Sequence, residues 1–333
     1  MGRRATIADV AEQAGVSYQT VSRVINDKPD VSPVTRQRVQ TIIDDIGYRP
    51  SRIARSLATA RTATIGLVVP DIANPYFSDI ALGVEQFAYD QGYSVLLCNT
   101  NEDLAREVDV LLMLEDKQVD GVIVCGLRQA SGLLQAVISR FPAAVLVNRQ
   151  LDDVALPAVM IDDTLGGYLA TKHLLEIGRQ AIGFVAGPQT SYSGAGRMRG
   201  FCRALTEAGI AGIDERVRFC RPDVEDGEIV TAEFLAGWPQ LDALFCYNDL
   251  VAVGALRACI AHGRQVPEDV AIIGFDDIRL AALVTPALTT FRVPRFEIGK
   301  MAMESLLTCI NNDGDENAQI VISPELVVRE SAP

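Results

Sequence analysis

Apolar residues recur three or four positions apart at the start of the chain, which is the spacing of one face of a helix. The first stripe runs from Ile7 to Ala14. Thr6 precedes it as a candidate N-cap, and Asp9 follows three residues later in the position of a capping box. Gly15 ends the pattern, since glycine accepts the positive φ of a helix C-terminus. The pattern therefore predicts a short, capped helix.

A second helix is predicted after a gap of only a few residues. Ser17 suits its N-cap, and Val21, Val24 and Ile25 form its apolar stripe. Two short helices joined by a three- or four-residue turn that contains glycine are typical of a helix-turn-helix. This spacing therefore predicts that motif at the N-terminus.

A third helix completes the N-terminal segment. Ser32 is its candidate N-cap, Pro33 suits its first position, and Gly47 closes it. Its buried stripe comprises Val39, Ile42, Ile43 and Ile46. The alternative interpretation is a small helical bundle whose polar faces are merely solvated.

From residue 62 the pattern changes to short apolar runs that alternate with helical ones. Continuous apolar strands between amphipathic helices indicate parallel sheets covered on both faces. Two series of strands predict two α/β lobes. The first series comprises 64–69, 95–97, 121–124 and 144–147, and the second comprises 181–185, 243–246 and 270–273.

Charge divides the chain at the same place. Residues 1–61 hold ten Lys and Arg against six Asp and Glu, a net charge of +4, whereas the whole chain of 333 residues carries −13. A basic segment on an acidic protein indicates an appended module that binds a polyanion. The acidic remainder argues against nucleic acid covering the whole protein.

The polar face of the second predicted helix carries long hydrogen-bonding side chains near the helix start. Tyr18, Gln19, Ser22 and Arg23 fall on this face, opposite the apolar stripe. Glutamine can bond adenine, and arginine can bond guanine, through two hydrogen bonds in the major groove. Because recognition helices of this motif read bases with their N-terminal residues, this face is the candidate reading surface.

Three segments make the pattern specific: 6–11, 14–17 and 20–26 together resemble the N-terminal signature of the LacI/GalR repressor family. The resemblance implies that Tyr18, Gln19 and Arg23 read bases, and that the operator half-site is similar to those read by relatives with the same helix. The implied DNA-binding residues of the head are Thr6, Ser17, Tyr18, Gln19, Thr20, Ser22, Arg23 and Asn26.

Residues 50–61 resemble the family's hinge helix, which orders only when two hinges meet over the operator. The segment is too short to be a stable helix alone. The resemblance implies DNA contacts from Arg52, Ala54 and Leu57, with Leu57 as an apolar wedge that kinks the minor groove. Ser51 stands where the family usually has asparagine, which departs from the pattern. The alternative is an ordinary linker with a few basic residues.

The resemblance also implies a core built like a periplasmic sugar-binding protein, with an effector in the cleft between its lobes. Parallel α/β sheets bind ligands at the carboxyl ends of their strands. Arg197, Asn248 and Asp276 are the strongest candidates, because they offer donors and acceptors to vicinal hydroxyls. The full implied set is Ala73, Asn74, Tyr76, Phe77, Asn148, Asp162, Arg197, Asn248 and Asp276.

Ordinary structural roles compete with the binding interpretation. Asp163, Asp249 and Asp277 each follow a strand and could cap a helix, and Arg197 could be a surface arginine. Near residues 217–223 the family often carries an aromatic residue that stacks on the ligand. This chain places Pro222 there, and Phe219 is the alternative partner, so the sequence leaves the effector class open.

The lack of complete catalytic or cofactor-binding motifs argues against an enzyme. Gly194, Gly196 and Gly200 mimic a dinucleotide fingerprint, but the last spacing is one residue too long and the run lies well past its strand. A phosphate-binding loop, a nucleophile elbow and a zinc-protease motif are absent. With two histidines and seven scattered cysteines, we expect no metal, no cofactor and reduced thiols.

We therefore expect a cytoplasmic, allosterically controlled transcription regulator, a repressor of carbohydrate-utilisation genes. No apolar run spans a membrane, and no signal peptide supports the rival class of solute-binding protein for transport. Expected partners are a pseudo-palindromic double-stranded DNA operator, a second copy of the chain as a homodimer without a tetramerising tail, and a small-molecule effector, a sugar or its derivative. A purine or other corepressor is the alternative.

The expected organisation has four parts. Residues 1–49 form the DNA-binding head, and residues 50–61 form the hinge. The N-terminal lobe comprises 62–161 with 293–322, and the C-terminal lobe comprises 162–292 with 323–333.

Overall fold

The computed structural model describes residues 5–48, 61–126, 132–151, 156–312 and 318–333. The chain separates into two compact units, Met1–Thr62 and Ala63–Pro333. Residues 50–60 of the predicted hinge lie outside the described residues, so the roles of four of them stay predictions: Ser51, Arg52, Ala54 and Leu57.

The first unit contains three helices whose boundaries follow from their caps. They are α1 (Ile7–Ala14), α2 (Tyr18–Ile25) and α3 (Pro33–Asp45). Thr6 and Asp9 form the reciprocal capping box, and Gly15 has φ of 60° at the end of α1. Ser17 caps α2 through the amide of Thr20. The helix-turn-helix prediction is confirmed, and its core is Val10, Ala14, Val21, Val24, Val39 and Ile43.

The second unit alternates strands and helices. Its strands are β1 (Thr64–Val69), β2 (Ser94–Asn99), β3 (Gly121–Cys125), β4 (Ala144–Val147), β5 (Ala158–Ile161), β6 (Ile182–Ala186), β7 (Val217–Phe219), β8 (Ala243–Cys246), β9 (Ala271–Ile273), β10 (Thr290–Arg292), β11 (Gln319–Ile322) and β12 (Glu325–Val327). Its helices are α4 (Pro75–Asp90), α5 (Leu104–Asp116), α6 (Gly132–Ile138), α7 (Asp163–Glu176), α8 (Tyr192–Glu207), α9 (Val224–Gly237), α10 (Asp249–Ala261) and α11 (Arg295–Asn311).

Two parallel sheets organise this unit, as the apolar runs predict. The first has the order β11-β5-β4-β3-β1-β2, and the second has the order β7-β6-β8-β9. β3, β4, β6 and β8 are buried along their whole length, which is why they read as unbroken apolar runs. β10 and β12 form a short antiparallel pair outside the two sheets. Along the chain, β10 lies between β9 of the second sheet and β11 of the first, and β12 follows β11.

Paired helices on these sheets approach each other through glycines. A Cβ added at Gly167 of α7 would lie closer than 3.0 Å to the backbone of Arg197, and one at Gly200 of α8 would meet Thr164 and Tyr168 in the same way. Because only glycine permits such an approach, the start of α7 is held against the first turns of α8. The same relation recurs at two further helix pairs: Gly83 with Gly299 between α4 and α11, and Gly227 with Gly254 between α9 and α10.

Candidate DNA-reading and effector sites

The predicted reading surface lies on the exposed side of α2. Val21 and Val24 are buried, whereas Tyr18 is 56% exposed and Gln19 and Arg23 are exposed as well. Long polar side chains are therefore presented together near the start of the helix. This placement is what base reading requires, although DNA contact by these residues stays a prediction.

Several of the other predicted DNA-binding residues also hold the head together. The hydroxyl of Thr6 caps α1, and the Ser17 hydroxyl lies 2.9 Å from that of Thr20. Asn26 donates from its amide to the carbonyl oxygen of Ser22 at 2.8 Å. Thr6 and Ser17 sit at helix N-termini, where exposed N–H groups also suit contacts to phosphate.

Arg23 forms an ion pair that was not predicted from the sequence. Its guanidinium lies 3.1 Å from the carboxylate of Asp30, and both side chains are about half exposed. Arg36 holds the intervening turn by contacting the Asp27 carboxylate and the Lys28 carbonyl. Because exposed ion pairs contribute little stability, a guanine edge can replace Asp30 at low cost.

Most of the predicted effector residues meet in one cavity at the ends of strands of both sheets. Seven predicted residues line it: Asn74, Tyr76, Phe77, Asn148, Arg197, Asn248 and Asp276. Its volume is about 30 Å³, room for about two water molecules. A ligand the size of a monosaccharide would need the walls to move apart.

Two predicted effector residues lie outside this lining. Asp162 is the N-cap of α7, and its carboxylate accepts from the amide of Leu165 at 2.8 Å. Ala73 is exposed in the turn before α4. Asp162 is therefore engaged in capping, and Ala73 presents no polar side chain.

Four further residues line the cavity without having been predicted: Glu102, Gly126, Ser193 and Tyr247. Tyr247 precedes Asn248 just after β8, so it could have been predicted from the tendency of ligands to bind at the carboxyl ends of parallel strands. Glu102 carries no signal of its own, because it lies in a loop. Pro222 is in the lining, whereas Phe219 belongs to β7, is 47% exposed and does not line the cavity.

Arg197 is the centre of the cavity's electrostatics. It is 3% exposed, so the alternative of a surface arginine is wrong. Its Nε donates to Asp163 at 2.9 Å, and another guanidinium nitrogen lies 3.9 Å from the carboxylate of Asp276. The guanidinium carbon lies 3.7 Å from the ring centre of Phe275 and 4.9 Å from that of Tyr247. Stacking and ion pairing thus fix one planar donor group between two carboxylates.

Burial raises the pKa of both carboxyl groups that face Arg197. Burial raises the pKa of Asp276 to about 7, although Arg197 and Arg295 favour its charged form. Burial also raises the pKa of Asp163, against the pull of Arg197. Asp276 therefore exchanges its proton near neutral pH, and it can donate to a ligand hydroxyl as well as accept from one.

The acids that follow strands are not the helix caps that the alternative interpretation assumed. Asp162 caps α7 in place of Asp163, and Asn248 caps α10 in place of Asp249. Asp249 instead accepts from the amide of Ile278, and burial raises its pKa well above the usual range. Each cap lies one residue earlier than expected, which frees the following acid to point inward.

The opposite wall of the cavity holds an incompletely bonded amide. The Asn148 amide nitrogen donates to the hydroxyl of Tyr76, and its amide oxygen is buried without a hydrogen-bond partner. Exchanging the amide's oxygen and nitrogen still leaves one polar atom unpaired. Because unpaired buried polar atoms are costly, this atom is a ready partner for a ligand hydroxyl.

Comparison with known proteins decides the family. Residues 62–330 match periplasmic binding proteins and the sugar binding domain of the LacI family, and residues 6–51 match bacterial regulatory proteins of the lacI family. The chain belongs to the LacI family.

Individual LacI-family proteins are similar over nearly the whole chain. The HTH-type transcriptional repressor PurR of Photobacterium profundum is 35% identical over 337 residues, with 98% of each chain covered. The ribose operon repressor of Haemophilus influenzae is 36% identical, again over 98% of each. The solved structure of the Lac repressor dimer bound to operator and the anti-inducer ONPF has a TM-score of 0.89 at 27% identity, covering 99% of each chain.

These similarities confirm the predicted class. The LacI-family chain is a DNA-binding transcriptional regulator with an effector-binding core, and its relatives are regulators rather than enzymes. Within the described residues, no helix combines the length and apolarity needed to cross a bilayer. The same residues contain no cluster of three or more histidine, cysteine or acidic side chains placed to hold a metal ion.

Proposed function

We propose that this regulator is a cytoplasmic repressor of carbohydrate-utilisation genes, controlled by an uncharged, polyhydroxylated effector in the cavity around Arg197. The observation that supports this most directly is the buried Arg197 guanidinium beside two carboxylates, Asp163 and Asp276. Alternating donors and acceptors at this spacing suit vicinal hydroxyls. The similarity to the ribose operon repressor favours the same class.

The charges of the cavity favour a neutral effector over an anionic one. Among the described residues that line the cavity, Arg197 is the one arginine. Its guanidinium already faces the carboxylates of Asp163 and Asp276. Glu102 adds a further acid to the lining. A sugar acid or phosphate would therefore enter a site without surplus positive charge, at a cost in desolvation.

A purine corepressor is the second candidate, favoured by the 35% identity to PurR. Flat aromatic ligands gain from stacking. In this cavity, however, Phe275 and Tyr247 already stack on Arg197, and Pro222 stands where an aromatic platform was expected. The polar lining therefore fits a polyol better than a base.

We propose the same lobe limits as the sequence analysis: 62–161 with 293–322, and 162–292 with 323–333. The first sheet and α11 support the first lobe, and the second sheet supports the second. β10 and β12 would then belong to segments that cross between the lobes. An effector that changes the lobe angle would act on these segments.

An exposed apolar face supports assembly as a homodimer. β2 is an edge strand of the first sheet, and Leu97 on it is 46% exposed. Leu82 and Tyr89 on the adjacent α4 are 59% and 72% exposed. Contiguous exposed apolar surface marks interfaces. Because a two-fold dimer matches a palindrome, we propose that the dimer binds a pseudo-palindromic operator through two heads.

A thermal-shift screen of neutral sugars, sugar acids and purines tests the effector proposal. A ligand at 100 times its Kd stabilises the folded protein by about 2.7 kcal/mol. We expect the largest shift from a neutral sugar. A shift from sugar acids or purines alone would show that the neutral class is wrong. Gel shift with the hit then decides between an inducer, which weakens operator binding, and a corepressor, which strengthens it.

Arg23→Ala tests base reading by the head. We expect the variant to lose about 1–3 kcal/mol of discrimination between the selected operator and one mutated at the contacted guanine. Affinity for random DNA should fall much less. The measurement is fluorescence anisotropy on a duplex selected from a random pool by the wild-type protein. Arg38→Ala is the matched control, because Arg38 is an exposed arginine on α3. An equal loss on operator and random DNA would contradict base reading by Arg23.

A further inference from the structure

The cavity acid Asp276 belongs to a loop with an unusual backbone. Asp276 has φ of 107° and Asp277 has φ of 52°, so two consecutive residues other than glycine adopt positive φ. Such conformations persist only where the surroundings hold them. The contacts of Asp277 and Arg295 show what holds this loop.

The Asp277 carboxylate joins both segments of the β10–β12 pair. It accepts from Arg292, the last residue of β10, at 2.8 Å and from Arg329, just after β12, at 2.6 Å. Its side chain is only 9% exposed. Asp277 itself does not line the cavity, so its contacts fix the loop rather than bind a ligand directly.

Arg295 holds the same loop from α11, a helix that packs on the first sheet. Its guanidinium donates to the backbone carbonyls of Asp276 and Asp277, and its Nε donates to the Asp79 carboxylate at 2.9 Å. Arg295 begins α11, and Asp79 lies in α4, the helix that also carries the cavity residues Tyr76 and Phe77. One 14%-exposed side chain thus connects the two walls of the cavity.

We propose that Asp277 and Arg295 are positioning residues for effector control. Asp277 keeps Asp276 oriented toward the ligand, and Arg295 passes a displacement of this loop to α4 through Asp79. α4 also carries Leu82 and Tyr89, part of the exposed apolar face. A change at the effector would thereby reach the surface proposed to join two copies. This inference rests on the effector site proposed around Arg197.

The test separates effector binding from its effect on operator binding. The probe is the compound with the largest wild-type shift in the thermal screen, and the DNA is the duplex that the wild-type protein selects. We measure the Kd of the probe, and the ratio of operator Kd values with and without it. This ratio is typically about 5–150-fold between allosteric sites.

In Arg295→Met, we expect the ratio of operator Kd values with and without the probe to move about fivefold closer to 1. The Kd of the probe itself should change less. Asp79→Asn, at a 40%-exposed position, should change the ratio in the same direction with less risk to folding. Lys300→Met is the control, because Lys300 is exposed on α11 and pairs with Glu297 on the same helix. Asp277→Asn should raise the Kd of the probe about tenfold.

Three outcomes would overturn the inference: a wild-type ratio in Arg295→Met, an equal change in Lys300→Met, or an unchanged probe Kd in Asp277→Asn. A parallel fall of ratio and probe affinity in both Arg295→Met and Asp79→Asn would also contradict it, since that pattern indicates general loosening. If Arg197→Ala still responds to the probe, the proposed effector site itself is wrong. If only Arg197→Ala loses the response, the positioning role alone fails.

Discussion

Arg197→Ala is expected to lower the free energy of unfolding at neutral pH by about 3–5 kcal/mol, because removing one partner strands buried charges. Asp163 and Asp276 would lose the guanidinium that faces both of them. The stacked faces of Phe275 and Tyr247 would lose their cation as well. The variant should also lose its response to the effector.

The loss should depend on pH in a defined direction. The folded-state pKa of Asp276, about 7, is raised above the value of 3.8 usual for aspartate. The folded state therefore holds this proton more tightly, so stability falls as the pH rises from about 4 to about 7, and the full cost of an ionised Asp276 is present above pH 7. Without Arg197 the ionised form is costlier still. The difference between variant and wild type should be larger at pH 8 than at pH 5.

Urea unfolding at both pH values measures this effect. Arg199→Ala is the control, because Arg199 is an exposed arginine two positions along α8. Its loss should cost within about 0.5 kcal/mol. A comparable destabilisation by Arg199→Ala, or an Arg197→Ala effect that is the same at pH 5 and pH 8, would contradict the role assigned to Arg197.

Gly200→Ala is the second substitution with a large expected effect. The added methyl would meet the Thr164 carbonyl and the Tyr168 amide, both backbone atoms, at less than 3.0 Å. Backbone cannot rotate away as a side chain can, so α7 and α8 must separate. We expect a loss of about 3 kcal/mol in the free energy of unfolding. Separation would also lengthen the Asp163–Arg197 contact and weaken effector binding.

Gly237→Ala provides a control of opposite sign. Gly237 ends α9, and a Cβ there would meet no atom within 4 Å. Alanine has the higher helix propensity, so stability should stay unchanged or rise by up to about 1 kcal/mol. Urea unfolding of both variants gives the comparison. Equal effects at the two positions would show that the close approach of α7 and α8 does not require glycine.

The head could be predicted almost completely from the sequence, because local signals determine its helix ends. Thr6, Gly15, Ser17 and Pro33 each mark a boundary that the structure reproduces. The buried strands were also predictable, since they are continuous apolar runs. By contrast, β11 is mostly exposed at the edge of its sheet and pairs with β5 more than 150 residues earlier. Pairing over such a distance leaves no local pattern.

The site was predictable only in part, for a related reason. Residues directly after strands, such as Asn248 and Asp276, follow from the rule that ligands bind at strand ends. Glu102 reaches the cavity through a loop whose course depends on tertiary packing. The position of a cap was also ambiguous by one residue, as Asp162 and Asp163 show. A shift of one residue on a helix decides whether an acid caps or faces inward.

The paired glycines between helices have a mechanical consequence. At these contact points backbone rests on backbone, so no flexible side chain lies there to repack when force is applied. We therefore expect each helix pair to move as one rigid unit. Movement should be concentrated in the segments that join the two sheets. We therefore expect a displacement of less than an ångström near Asp276 to reach distant surfaces through these helix pairs.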